Sequence, residues 1–380
     1  MGVTLRDVTS RMDQMYSPSW AEDWDAVGLV CGDPDQPVAR ILLAVDPAPV
    51  VVEEARRWGA DLLVVHHPLL LRAVHSVSAD SPKGRVVSDL IRSTCALFTA
   101  HTNADAPAFG VNESLALQLG VQDPRVIAPD VGEGLDKLVT FVPREDAQRV
   151  RDALTSAGAG TIGDYDSCTF TTEGEGRFRP LPGANPAIGR VGEVEVVAET
   201  RIETVFSRVR RHQVVAAMRS AHPYEEPAYD VFELADVPAA GGPARGAGRI
   251  GQLSEPMTLQ EFAQRVRTAL PETAHGVRVA GDPDRRVETV AVTSGAGDFL
   301  LETVLASEAD VYVTSDLRHH RAGEFLEHDG PALVDVAHWA AEWTWLPVLQ
   351  RKLMEALDPA GDTVETRVST TCTDPWSFRL

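Results

Sequence analysis

Two stretches of this chain repeat one another, and the repeat limits the available folds more than any other feature. From Ile41 onward, β-branched runs alternate with amphipathic ones. Ile41 to Val45 reads as a strand, Pro49 to Trp58 as a helix, Leu62 to Val65 as a buried strand, Arg85 to Ser93 as a helix and Ala96 to Ala100 as a strand. Asn112 is expected to cap a helix running to Leu119 and closed by Gly120. The cadence returns near the C-terminal end. Thr289 to Thr293, Val311 to Thr314 and Ala332 to Val336 read as strands, with helices over Phe299 to Ala306, His319 to Glu327 and Ala340 to Leu357, the last kinked or restarted by Pro347. Ala60-Asp61-Leu-Leu-Val-Val aligns with Ala309-Asp310-Val-Tyr-Val-Thr, and Leu97-Phe-Thr-Ala-His101 with Leu333-Val-Asp-Val-Ala-His338 after one added residue. This pattern predicts two related α/β lobes with mainly parallel, helix-covered sheets, facing one another.

The segment between the halves has a different grain. Strands are expected over Lys137 to Val142, Ser167 to Thr172, Glu193 to Ile202 and Ala228 to Leu234, with helices over Arg144 to Ala157 and Arg208 to Ala221. This is β-α-β-β-α-β, a ferredoxin-like α+β unit. Gly/Pro-rich stretches lie within and beside it, at Gly174 to Gly192 and Ala239 to Gly251, the second reading as a return linker. The expected organisation is therefore lobe one over 1–131, an insert over 132–246 and lobe two over 247–380, packing on lobe one.

Charge narrows the partners. Among 380 residues, 35 basic and 56 acidic side chains give a net charge of −21, spread along the whole chain. Such a surface repels phosphate backbones, and no Lys/Arg run offsets it, so nucleic acid is an unfavourable partner. No stretch is apolar enough to span a membrane, and the first 20 residues do not read as a secretory signal. Cys31, Cys95, Cys168 and Cys372 lie far apart with no C-x-x-C, which fits a reducing cytoplasm and argues against a disulfide framework or cysteine zinc site.

Candidate chemistry gathers at strand ends. His66 and His67 close an apolar strand before Pro68, where the carboxyl ends of parallel strands face a ligand crevice. His101 and His338 end later strands, each with an acid four residues on, Asp105 and Glu342. A lone H-x-x-x-E usually marks a solvated helix face. Three such groups at core strand ends, two related by the repeat, favour a divalent-metal site, since imidazole and carboxylate are first-row metal ligands. Gly158 to Gly163 fits G-x-G-x-x-G but follows a helix, so it reads as a loop. Gly295-Ala-Gly297 could admit a ligand or simply make a tight turn. Trp339, Trp343 and Trp345 read as core and wall.

The set Trp24-Asp-Ala-Val-Gly28, Val65-His-His-Pro68, His101-Thr-Asn-Ala-Asp105, Thr314-Ser-Asp-Leu-Arg-His319 and Asp335-Val-Ala-His-Trp-Ala-Ala-Glu342 resembles the NGG-interacting-factor-three-like family, the GTP cyclohydrolase I type 2 homologues. The resemblance covers both α/β halves. It implies two divalent metal ions between them, of Zn, Fe, Mn, Co or Mg, and a homohexameric assembly. Carried over residue by residue, the metal ligands fall on His66, His67, Asp105, His338 and Glu342. His101 matches a motif histidine, assigned beside the ligands as an acid/base group. His222-Pro-Tyr-Glu-Glu-Pro-Ala-Tyr-Asp230 is similar to the inserted PII-like (CutA-like) domain of longer bacterial members, although physics alone favours a proline-held turn over a metal pair there. Ala26, Ser315, Ala337 and Ala341 depart from residues common in the family without removing a proposed ligand.

These features lead to a metal-dependent hydrolase for a small molecule, a nucleotide or other phosphorylated compound. His101 or Asp316 would shuttle the proton, and Arg318 and Arg321 would meet an anion. The rival is a non-catalytic metal-storage, delivery or regulatory protein.

Overall fold

A computed structural model describes residues 2–130, 134–163, 165–235, 245–357 and 364–380. Its contacts divide the chain into two compact units, Met1–Asp130 with Gly242–Leu380, and Val131–Gly241. The ends of the first unit meet at the interruption, where the Asp130 amide donates to the Arg245 carbonyl over 2.8 Å.

The first half runs α1 (Leu5–Met15), β1 (Gly28–Cys31), β2 (Arg40–Ala44), α2 (Pro49–Trp58), β3 (Leu62–Val65), α3 (Pro82–Arg92), β4 (Ala96–Thr99), α4 (Thr102–Asp105), α5 (Val111–Gln118) and β5 (Val121–Pro129). Strands β3 and β4 are buried at every position, the mark of parallel strands covered on both faces, and this is why they read as unbroken apolar runs. Pro49 starts α2, and Gly59 ends it in the left-handed region.

The second unit runs β6 (Leu135–Pro143), α6 (Ala147–Ser156), β7 (Thr169–Phe178), β8 (Glu195–Ser207), α7 (Arg211–Ala221) and β9 (Tyr229–Glu233). Its antiparallel sheet has the order β7-β8-β6-β9, which is the ferredoxin-like arrangement. Strand β7 continues through Gly174 and Gly176, so the first Gly-rich stretch begins as strand.

The chain returns through β10 (Gly246–Thr258), α8 (Leu259–Ala269), β11 (Val277–Ala280), β12 (Arg286–Ala296), α9 (Leu301–Leu305), β13 (Val311–Ser315), α10 (His319–Leu326), β14 (Ala332–Val336), α11 (His338–Trp343), α12 (Trp345–Leu357) and β15 (Glu365–Val368). Of the expected return linker, 239–244 lies outside the described residues. The remainder is mostly strand, because β10 pairs with both β12 and β5. Pro347 restarts a helix, falling in the first turn of α12, where its missing N–H costs little.

Each half builds the same core. Strands β2, β3 and β4 are parallel neighbours with antiparallel β1 beside β4, and β12, β13 and β14 are parallel neighbours with antiparallel β11 beside β14. The repeat begins earlier than the aligned segments. Helices α1 and α8 both open on a capping box, Thr4 with Asp7 and Thr258 with Glu261. Gly32-Asp-Pro-Asp35 and Gly281-Asp-Pro-Asp284 make matching turns, with Asp35 N to Asp33 Oδ1 and Asp284 N to Asp282 Oδ1 both 3.0 Å. Both glycines have positive φ, and an added Cβ would lie 2.6 Å from the Cβ of Ala96 or 2.8 Å from that of Ala332. Asp61 and Asp310 play one part: the Oδ2 of each accepts two backbone amides at the start of the neighbouring strand, Ala39 and Arg40 or Glu288 and Thr289.

The lobes do not follow the halves strictly, because the halves exchange elements. Strand β15 pairs with β2 in lobe one's sheet, and β5 pairs with β10 in lobe two's. Leu346, Leu349 and Leu353 of α12 join the core of Ile41, Leu43 and Val64, while Leu115 and Ala116 of α5 join that of Val290, Val292 and Val313. Asn112 accordingly does not cap α5, which starts after Gly110. Its buried side chain donates to the Asp105 carbonyl and accepts from the Ser294 amide, tying the halves together. Among the described residues, no helix is long and apolar enough to cross a membrane.

Candidate metal centre

The strand ends of both lobes meet at a cluster of four imidazoles and two carboxylates. His66 and His67 follow β3, His101 precedes α4, which holds Asp105, and His338 and Glu342 lie one turn apart on α11. His66, His67 and His101 form one triad of potential ligands and His67, His338 and Glu342 a second, the ligand atoms of each lying within 4.8 Å of one another. Glu342 is the hub. Its Oε1 lies 2.8 Å from His338 Nε2 and 3.4 Å from His66 Nε2, and its Oε2 lies 3.1 Å from His67 Nε2. Asp105 Oδ1 is 3.8 Å from His66 Nε2.

The far side of every ring is held. His66 Nδ1 donates to the Ala100 carbonyl over 2.9 Å. The Nδ1 atoms of His67, His101 and His338 meet Asp46, Asp25 and Asp316 over 2.7, 2.8 and 2.7 Å. With Nδ1–H donated outward, the Nε2 of a neutral ring turns a lone pair toward the cluster. Lone pairs facing the Glu342 oxygens at these distances repel unless protons or cations lie between them.

The protonation equilibria carry the same signature. Burial alone would push His67 and His338 down, but Glu342 together with Asp46 or Asp316 outweighs it and raises both. Burial would also raise Glu342, yet the imidazoles hold it well below the usual carboxylate range. Asp105 is pushed up to about 7, by burial first and then by the Glu342 charge. Asp105 Oδ1 and Glu342 Oε2 are buried without a hydrogen-bond partner, which is costly unless something else coordinates them. The donor set fits divalent metal ions: inward nitrogens, the buried Glu342 carboxylate, the buried Oδ1 of a half-buried Asp105, and outer carboxylates that orient the rings.

The surrounding residues explain the shape. Gly295 ends β12 beside the cluster, where an added Cβ would lie 3.0 Å from Glu342 Oε1 and 3.3 Å from His338 Nε2, so a side chain there would crowd the ligands. Trp345 is fully buried, edge-on to His66 at 5.7 Å, and donates to the Tyr16 hydroxyl. On the other side Trp24 is 59% exposed and edge-on to His101 at 5.9 Å.

The six residues His66, His67, His101, Asp105, His338 and Glu342 are thus together, with His101 in a ligand triad. Asp316 touches His338 and, at positive φ, turns the chain to do so. Arg318 and Arg321 are engaged by Asp298, through its carboxylate and its carbonyl. His222 spends both ring nitrogens within its own unit, on the Phe141 carbonyl and the Tyr224 amide, so it holds a turn. Asp46 and Asp25 were not among the sequence candidates. The strand-end rule that found His66 also points to Asp46, just beyond β2, and Asp25 lies inside the Trp24 to Gly28 motif.

The profile of the Duf34/NIF3 (NGG1p interacting factor 3) family matches residues 3–375. A Mycobacterium tuberculosis protein named GTP cyclohydrolase 1 type 2 homolog is 50% identical over 379 residues, covering 100% of this chain and 98% of the relative. A Bacillus subtilis protein of the same name is 39% identical over 376 residues, covering 99% of each. Among solved structures, a Bacillus cereus protein related to NIF3 superposes with a TM-score of 0.68 at 37% identity, covering 100% of both chains. With the family profile spanning nearly the whole sequence and close relatives matching end to end, the chain belongs to the Duf34/NIF3 family.

Proposed function

We propose that this protein holds two divalent metal ions and uses them to hydrolyse a nucleotide or other small phosphorylated compound. The observation that carries the reading is the pair of overlapping triads, with buried carboxylate oxygens of Asp105 and Glu342 that accept no hydrogen bond. His66, His67, Asp105, His338 and Glu342 would be ligands, and His101, which shares a triad of potential ligands with His66 and His67, would be a sixth. A set this rich in imidazole favours Zn, Fe or Co over Mn or Mg.

When bound, such ions supply Lewis-acid polarisation of an electrophilic centre and acidify water. The chain's own residues prepare the site. Asp25, Asp46 and Asp316 fix the ring tautomers, so that Nε2 faces inward in each. Trp345 closes the buried side against water, and Trp24 borders the open side. Asp316, bonded to His338 with a side chain 56% exposed, would pass a proton to solvent. The name shared by the relatives makes GTP the first compound to assay. The cytoplasm fits four free cysteines, and a homohexamer belongs to the same reading, checked by native mass spectrometry of the 41.1 kDa chain.

The test is elemental analysis of protein purified without chelator, followed by turnover of GTP and a panel of phosphate compounds. Up to two ions per chain and an activity abolished in His67→Ala support the proposal. A chain that stays metal-free after reconstitution overturns it. Full metal loading with no turnover across the panel returns the site to storage or delivery.

A further inference from the structure

The ferredoxin-like unit carries a cavity of its own, and the inference from it does not depend on the metal centre. Both of its described helices pack on one face of the sheet, where Leu138, Val142, Ile202 and Phe206 meet Val150 of α6 and Val214 of α7. A cavity of about 580 Å³ is lined from strand positions of the opposite face, within the ~300–1,000 Å³ typical of small-molecule sites. Strand register sets its floor. Arg201 lies opposite both Phe141 and Thr172, and Glu199 opposite Gly174, and residues directly opposite one another share a face. The β7–β8 connection adds Ile188 and two prolines, and the turn after α7 adds Tyr224. The two segments are joined by the Asn185 amide donating to Glu225.

Two glycines open this space. A Cβ on Gly176 would lie 2.1 Å from Glu199 Oε2, so the missing side chain lets the carboxylate lie across β7. A Cβ on Gly174 would meet nothing within 4 Å. Glu199 is only 9% exposed, and its Oε1 accepts from the Tyr224 hydroxyl over 2.8 Å. Among the described residues no basic side chain is ion-paired with it: Arg177 is bound to Glu175 and Arg201 to Glu203, and the third guanidinium of the lining, Arg179, makes no ion pair with Glu199. Five carboxylates against three guanidiniums line the cavity. A buried carboxylate whose partner is a neutral phenol is poorly compensated, and the Phe178 and Tyr224 rings, edge-on at 5.6 Å, offer π surface to a cation.

We propose that this cavity binds a small organic cation with an apolar body, an amine or amidine whose charged head meets Glu199 and whose body lies along Phe178 and Ile188. The test is calorimetric titration of the full chain with tryptamine and 4-phenylbutylamine, using indole-3-propionate as the anionic counterpart. The amines are expected to bind with dissociation constants of ~100 μM or tighter, and the acid at least ~10-fold more weakly. Glu199→Gln should weaken the amines ~10-fold or more, and Gly174→Leu, which grows into open space, should abolish binding. Absence of saturable amine binding up to ~5 mM, equal binding of the acid, or unchanged binding in Glu199→Gln overturns the proposal. If Gly174→Leu alters the circular dichroism spectrum, the near-isosteric Glu199→Gln decides alone.

Discussion

At the carboxyl end of β3 lobe one carries His66 and His67, whereas the repeat-related positions at the end of β13 are Ser315 and Asp316, and Gly295 stands where lobe one has Asp46. One strand over, the lobes agree: His101 with Asp105 in one, His338 with Glu342 in the other. The repeated scaffold therefore shares one histidine–acid pair between the lobes and differs at the other candidate positions. Lobe one has three inward imidazoles, with Asp25 and Asp46 behind two of them. Lobe two has one, and gives up side-chain volume at Gly295 beside it. The cluster is therefore asymmetric: lobe one supplies most of the imidazoles, and lobe two supplies one imidazole and the central carboxylate, Glu342, packed against Gly295.

The repeat-related acids should be the least equivalent pair. Glu342 lies within 3.4 Å of three imidazoles, while Asp105 approaches His66 at 3.8 Å. Glu342→Gln should lower metal affinity by about 100-fold or more and Asp105→Asn by about 10-fold, measured by competition with a chromogenic chelator. Equal losses would show that the two lobes still contribute alike.

The orienting carboxylates come next in size. Asp46 holds His67 with its own side chain 28% exposed, whereas Asp316 holds His338 while 56% exposed. Water competes more at Asp316. Asp46→Asn should therefore cost metal affinity toward the upper end of the ~10–100-fold range and Asp316→Asn toward the lower end. The reverse order would place the tighter site in lobe two.

Much of this was legible in the sequence, for reasons that differ by residue. Strands β2 to β4 and β12 to β14 announce themselves because burial on both faces demands apolar runs, and His66 stands out because a polar pair interrupts such a run at its end. Strands β1 and β11 did not, because they are only partly covered, unlike β3 and β4 of the same length. The exchange of β5, α5, α12 and β15 between lobes depends on packing across more than 100 residues, which no local periodicity encodes. Asn112 illustrates the same limit: its residue type suits a cap, but a buried partner 182 residues away takes its side chain instead. The early repeat of Thr4 with Thr258 and Gly32 with Gly281 was visible, yet the aligned segments began only after it. Asp25 stood inside the Trp24 to Gly28 motif, but its role needed the fold, since its partner His101 is 76 residues away.

The smallest predicted effect tests whether the scaffold beneath these differences is still shared. Asp61 and Asp310 each accept two amides of a neighbouring strand at 2.8–2.9 Å, and neither touches the metal centre. Removing either leaves two strand-start N–H groups without their carboxylate. Asp61→Ala and Asp310→Ala should each destabilise the fold by about 1–3 kcal/mol, read as a fall of several degrees in melting temperature with metal content unchanged. The two losses should agree within about 0.5 kcal/mol, because both aspartates do the same work on parallel strands in the same register. If Asp310→Ala proves nearly silent while Asp61→Ala does not, divergence has reached the scaffold as well as the ligands, and lobe two is held mainly by β10 and β5, which lobe one lacks.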